Sequence, residues 1–255
     1  MKEIIVDDAT KTLLRLYAQR YETVEFLNGD PSWYMHQVEG DRNRESMAFV
    51  ASCLSYGSRT QFMPKIGQLL EWSGGDMDLW IRSGGYRQHF SPDDKNCFYR
   101  LYNKECIFRF FEAYRKMLVD YGSMGEYVRN CASDGFHAVE AVCAFFSSKR
   151  VGAVVPKDTM SACKRVCMFL RWMVRDNSPV DLGLWADFID RRTLIMPLDT
   201  HVVSQSIRLG LLSSGSASMN AARRLTSTMS LVFPNDPLKG DFALFGYGIN
   251  ESKES

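Results

Sequence analysis

Apolar residues recur along most of the chain at spacings of three and four. Met47, Val50, Ala51 and Leu54 form one such set, Ile107, Phe110, Phe111 and Tyr114 another, and Val139, Val142, Cys143 and Phe146 a third. That period places each set on one face of a helix. Strand-like alternation is scarce. Glycine, proline and serine clusters fall between the periodic runs, at Asn28 to Pro31, Gly74-Gly75, Gly84-Gly85, Gly122, Gly135 and Ser213 to Ser216, where loops between helices belong. The pattern predicts an all-α fold of about ten helices. No internal repeat interrupts it. None of the glycine-rich spots follows a convincing strand, so none reads as a phosphate-binding loop.

Composition narrows this only a little. The 255 residues are 45% hydrophobic and 24% charged, which is globular usage and excludes a disordered or fibrous chain. At this length, one large domain and two joined helical lobes both fit. The N-terminal segment carries acids where a signal peptide would be basic, and no segment is apolar for long enough to span a bilayer, so a cytoplasmic protein without a membrane partner is expected. Seven cysteines, an odd number, are scattered through helical segments and read as thiols rather than as a disulfide framework. Cys163 and Cys167 are spaced i, i+4 but lack a second close ligand pair, so no metal is expected. The net charge of +1 says nothing for nucleic acid. Its distribution says more: seven basic residues between Lys149 and Arg175 face a single acid, Asp158, a local excess of six that would suit phosphates. A solvated helix face balanced by acids elsewhere explains the same run.

Two segments carry candidate chemistry. Ser161 to Arg175 reads as a helix with Cys163, Val166, Cys167, Leu170 and Val174 on an apolar stripe and Lys164, Met168, Arg171 and Arg175 on the neighbouring one. Lys164 stands near its start, at the border of the two faces. Partial desolvation there would favour the neutral, nucleophilic amine; a lysine stem lying over the apolar edge is the plainer alternative. The second segment is Pro197-Leu198-Asp199-Thr200-His201, followed by a short amphipathic run ending at Gly210. Asp199 or Thr200 would cap that helix, and a carboxylate held at a helix N-terminus is also fixed in direction and kept ionised.

These residues resemble those of a known superfamily. LDTHVVSQSIRLGLL, residues 198 to 212, resembles the aspartate signature of the helix-hairpin-helix DNA glycosylases, which include the endonuclease-three-like enzymes and the 8-oxoguanine glycosylases. SACKRVCMFLRWMVR, 161 to 175, resembles the helix after the hairpin, whose early lysine is the nucleophile of the bifunctional members. CLSYGSRTQFMPKIGQLLE, 53 to 71, is similar to the segment that opens a helix beside the DNA. DPLKGDFALFGYG, 236 to 248, resembles the closing helix of the archaeal 8-oxoguanine glycosylase branch and of a related uncharacterised bacterial family. The chain departs from the pattern in four places. Ser161-Ala162-Cys163 replaces the usual Gly-hydrophobic-Gly turn. The lysine and aspartate stand 35 residues apart, nearer the archaeal branch, with the stretch from Asp181 to Arg192 filling the gap. Gly57 occupies the position of an intercalating glutamine, with Arg59 and Gln61 as possible substitutes. The four-cysteine iron–sulfur motif is missing.

The resemblance implies a two-lobed helical glycosylase fold, with 46–175 as a central lobe and 1–45 plus 176–255 as the other, and with DNA in the cleft. It implies a base-excision repair enzyme with associated lyase activity on an oxidised purine such as 8-oxoguanine. It needs no cofactor and acts as a nucleoid-associated monomer on duplex DNA carrying a damaged base. Carried over residue by residue, Lys164 is the nucleophile and Asp199 its partner. Arg59, Gln61, Lys157, Arg165, Arg171 and His201 are the candidate DNA contacts, and Trp172 and Trp185 the candidates to clamp a flipped base. For the tryptophans a plain core role, and for His201 a buried hydrogen-bonded one, are the alternatives. The competing function is a non-catalytic DNA-binding or structural protein that keeps the fold.

Overall fold

The computed structural model describes residues 5–213 and 215–254, with side chains to residue 248. The chain is predominantly helical, 60% helix and 3% strand. Helices α1 (Asp8–Tyr21), α2 (Asp41–Leu54), α3 (Arg59–Trp72) and α4 (Met77–Ser83) lead to a small antiparallel hairpin, β1 (Cys97–Tyr99) with β2 (Tyr102–Asn103). Then follow α5 (Lys104–Tyr121), α6 (Met124–Cys131), α7 (Gly135–Ser147), α8 (Lys164–Val174), α9 (Thr200–Arg208), α10 (Met219–Ser230) and α11 (Lys239–Glu254). Several starts are set by side-chain caps: Asp7 accepts from Thr10 N, Asp76 from Leu79 N, Asn103 from Cys106 N and Ser218 from Ala221 N. No helix among the described residues is long and apolar enough to cross a membrane.

The helical stripes read from the sequence are the buried faces. Met47, Val50, Ala51 and Leu54 of α2, Ile107, Phe110, Phe111 and Tyr114 of α5, and Val139, Val142, Cys143 and Phe146 of α7 are all buried. Gly135 departs from the loop expected there. It opens α7, and a Cβ on it would lie 2.7 Å from the Thr193 carbonyl oxygen, so only glycine allows that approach.

The chain divides into two compact units. The first comprises the chain up to Phe26, Asp134–Phe136 and the chain from Thr159 onward; the second comprises Leu27–Ser133 and His137–Asp158. These boundaries differ from the expected ones at 45 and 175. Residues 27–45 join the second unit because the 3-10 turn Pro31–His36 packs on α2. Helix α8 joins the first because its arginines are bonded to acids of that unit.

In the second unit the core is aromatic: Phe49 lies 4.9 Å from Tyr114, 5.7 Å from Phe110 and 5.5 Å from Phe146, ring centre to ring centre. The buried Glu45 carboxylate accepts from the Met124 and Gly125 amides, fixing the start of α6. In the first unit α1 lies along α11, and α9 packs against α11 as well. Gly246 makes the first contact possible, since a Cβ there would sit 2.2 Å from the Tyr21 ring. Phe26 packs edge-on against Phe242 and Phe245.

Candidate active site

The turn before α8 is built from small side chains. Ser161 forms an isolated antiparallel bridge with Ser218, and Ala162 N donates to the Ala217 carbonyl at 3.3 Å, so the turn leans on the segment that opens α10. Cys163 then takes a left-handed conformation, φ 47° and ψ 36°, and α8 begins at Lys164, three residues later than the Ser161 to Arg175 helix expected. A left-handed residue with a Cβ costs roughly 1–2 kcal/mol. Cys163 fills the place where the resembling turn has its second glycine.

Asp199 is delivered by a buried segment, Leu194 to Leu198, whose Met196 amide donates to Thr226 Oγ1 at 2.9 Å. The backbone is extended at Asp199, and the Oδ1 atom accepts from Val202 N at 2.9 Å. Of the two capping candidates, Asp199 is therefore the cap. Its second oxygen, Oδ2, lies 3.7 Å from Lys164 Nζ. The cap thus aims the carboxylate, and its free edge meets the first side chain of α8. Both side chains keep about a third of their surface open, 34% for Lys164 and 37% for Asp199, so solvent reaches the pair.

Behind this pair lies a buried ionic lattice that the sequence reading assigned otherwise. Arg171, 3% exposed, donates through Nε to Asp181 at 3.2 Å and through Nη1 to Asp241. Arg175, 1% exposed, donates to Asp236 at 2.9 Å and to Asp181, and reaches Glu22 at 2.6 Å. The Phe242 ring lies beneath both guanidinium groups, at 4.6 and 5.3 Å. Arg171 is therefore not placed to hold a phosphate, and two cations of the six-charge excess are compensated internally. Burial pushes the Asp181 and Asp241 carboxyls up from the usual range, with the arginines pulling the other way. Burial also opposes the Arg175 charge, but Asp181, Asp236 and Glu22 more than offset it.

The base-clamp candidates are likewise corrected. Trp172 is fully buried and Trp185 is 2% exposed, its ring packed at 5.3 Å against Phe169, so neither presents a face to a ligand. Arg165 is half-buried in the first turn of α8, and His201 is exposed on α9, not buried. Three candidates lie in the second unit. Arg59 is exposed and pairs with Asp30 at 3.3 Å; Gln61 is exposed and accepts from Arg100; Lys157 is exposed beside Asp158. Asp241 was not among the candidates. The signal for it was an acid in the first turn of the closing helix, and nothing in the local pattern ties that acid to Arg171. Among the described residues no group of histidines, cysteines and acids is arranged to hold a metal ion.

Residues 30–250 match the family described as a protein of unknown function, DUF2400. The chain belongs to this family. The DUF2400 match takes in Lys164, Asp199, Asp241 and both lattice arginines, so the site is part of the family's domain and not an appendage to it. No curated protein and no solved structure matches the chain.

Proposed function

We propose that this DUF2400 protein is a DNA glycosylase of the helix-hairpin-helix type with associated lyase activity, acting on an oxidised purine. The observation that carries the reading is the Lys164–Asp199 pair: an amine at the first position of a helix, 3.7 Å from a carboxylate that a helix cap holds in a fixed direction. The left-handed conformation of Cys163 supports it, because glycine adopts that conformation without strain and the turn that this segment resembles has a glycine there. The resemblance at 161–175 and 198–212 supplies the reaction.

In that reaction Lys164, as the neutral amine, attacks the sugar carbon that bears the damaged base. The new N–C bond forms as the glycosidic bond breaks, and the base departs with the bonding pair and is protonated. Asp199 accepts the proton lost by the amine and, as a carboxylate, offsets the positive charge that grows on the sugar. Ring opening then gives a Schiff base, from which strand cleavage by elimination follows. A flipped nucleotide is needed for the attack. The half-open pair is accessible for it.

The test is borohydride trapping with duplexes that carry single oxidised purines. The wild type should become covalently linked to one or more of them, and Lys164→Gln should show no adduct at an unchanged melting temperature. A wild type that releases no base and forms no adduct with any duplex overturns the reading. An adduct that survives in Lys164→Gln overturns the assignment of the nucleophile.

A further inference from the structure

The outer side of α5, in the second unit, holds a cavity of about 510 Å³ with a charged lining. Arg109, Glu112, Arg115, Lys116 and Asp120 reach it from successive turns of α5, and Lys149 joins them from just beyond the end of α7. Four cations meet two acids there, and both acids are already bonded. Glu112 accepts from the Tyr86 hydroxyl at 2.5 Å and pairs with Arg87 at 2.7 Å, while Asp120 pairs with Lys116 at 2.7 Å. Arg109 pairs with Glu105, one turn earlier on α5. Among the described residues, Arg115 and Lys149 are left without a carboxylate partner. Arg115 is nonetheless fixed in direction. Its Nε donates to the Arg82 carbonyl at 2.8 Å in the last turn of α4, and the Arg82 guanidinium donates back to the Leu118 and Gly122 carbonyls at the end of α5. Among the described residues the two terminal nitrogens of Arg115 donate to nothing. Lys149 is half-buried, its ammonium 5.7 Å from the centre of the Phe145 ring.

We propose that this cavity binds a phosphate monoester, with Arg115 and Lys149 as the groups that hold the anion. Two uncompensated cations match the charge of a monoester, about −1.5 to −2 at neutral pH, better than the single charge of a phosphodiester. A guanidinium anchored through Nε offers its two terminal nitrogens as a planar fork, which suits two phosphate oxygens at once. Lys149 adds a compact point charge on a flexible stem. The volume is larger than a phosphate ion needs and falls within the range of roughly 300–1,000 Å³ usual for small-molecule sites, so a compact organic group accompanies the phosphate. Val119 and Ala113 give that group an apolar wall. A nucleoside monophosphate and the 5′-phosphate end of a nucleic-acid strand both present this chemistry. The site goes beyond the glycosylase reading and does not rest on it, since neither Lys164 nor Asp199 lines the cavity.

Calorimetric titration of the whole protein at low salt tests the site, with adenosine 5′-monophosphate as the probe. The wild type should bind the monophosphate and not adenosine. Arg115→Gln and Lys149→Gln should each weaken that binding by about tenfold or more, the scale of one lost hydrogen bond to a charged group. Lys95→Gln removes an exposed lysine of the same unit outside the cavity and should bind as the wild type does. The Lys149 side chain makes no hydrogen bond among the described residues, so its variant keeps the test decisive even where Arg115→Gln fails to fold. A single strand ending in a 5′-phosphate, set beside the same strand ending in a 5′-hydroxyl, separates the two sources. A preference for the phosphorylated strand that disappears in Lys149→Gln supports the site and assigns it to strand ends; binding of the mononucleotide with no such preference supports it and assigns it to a free nucleotide. A wild type that binds neither the mononucleotide nor the phosphorylated strand, an affinity unmoved in both cavity variants, or an equal loss in Lys95→Gln overturns the proposal.

Discussion

The two ends of α8 carry the same kind of side chain to opposite ends. Lys164 opens the helix half in solvent, with one carboxylate 3.7 Å away. Arg171 and Arg175, seven and eleven residues on and along the same stripe, are buried among Asp181, Asp236, Asp241 and Glu22. Spacing alone makes the three cations equivalent. What separates them is the arrival of acids from distant segments, which turns one end of the stripe into an internal framework and leaves the other half open to solvent beside Asp199. A basic run on a helix is thus evidence about a face and not about what that face meets.

The largest expected effect falls on the buried end. Arg175→Met should lower stability by about 3–5 kcal/mol, the scale for removing one partner of a buried ion pair and stranding its acids. Lys164→Met should change it by less than about 1 kcal/mol, because its pair is solvent-exposed. Urea unfolding of both variants reads the contrast. Equal losses at the two positions would erase the distinction drawn between the ends of α8.

The next effect sharpens the chemical end. Asp199→Asn keeps a side chain that caps about as well as aspartate, so its melting temperature should match that of the wild type. Single-turnover base release should slow by about a hundredfold or more, as expected when a preorganised charge facing a developing cation is lost. A variant equal to the wild type in both measurements would make Asp199 a cap and nothing further.

The smallest effect concerns the turn that sets α8 in place. Cys163→Gly should be more stable than Cys163→Ala by about 1 kcal/mol, since only glycine takes the left-handed conformation without strain. Alanine as the more stable of the two in thermal unfolding would show that the strain at residue 163 is not what the backbone suggests.

Much of the fold was legible because it depends on local period. The stripes of α2, α5 and α7 name their own buried faces, and Asp199 announces its cap by standing just before an amphipathic run. Of the candidate residues, the structure brings Lys164 and Asp199 together, at 3.7 Å, the two that stand at the starts of their helices. Arg171 was read as a DNA contact because its partners, Asp181 and Asp241, lie ten and seventy residues away, and no periodicity connects them. For Trp172 and Trp185 the base-clamp and core readings stay open in the sequence, because a tryptophan near the hairpin carries the same letter whether it faces a ligand or the core. The domain boundaries shifted for a related reason: the 3-10 turn Pro31–His36 and the helix α8 go where their packing and bonded partners are, which the order of the chain does not reveal.

The ionic lattice also imposes an order of assembly during synthesis. Arg171 and Arg175 emerge from the ribosome some 60–70 residues ahead of Asp236 and Asp241. At roughly 5–20 residues per second, that is a wait of about 3–14 s. Through that interval the guanidinium groups have only part of their counter-charge and remain in water. The second unit, which runs almost without interruption from Leu27 to Asp158, already has all of its chain. Lys164 and Asp199 can meet sooner, being 35 residues apart. Asp241, on α11, is the last of the lattice acids to be translated, so the buried charges of the first unit are complete only when α11 docks.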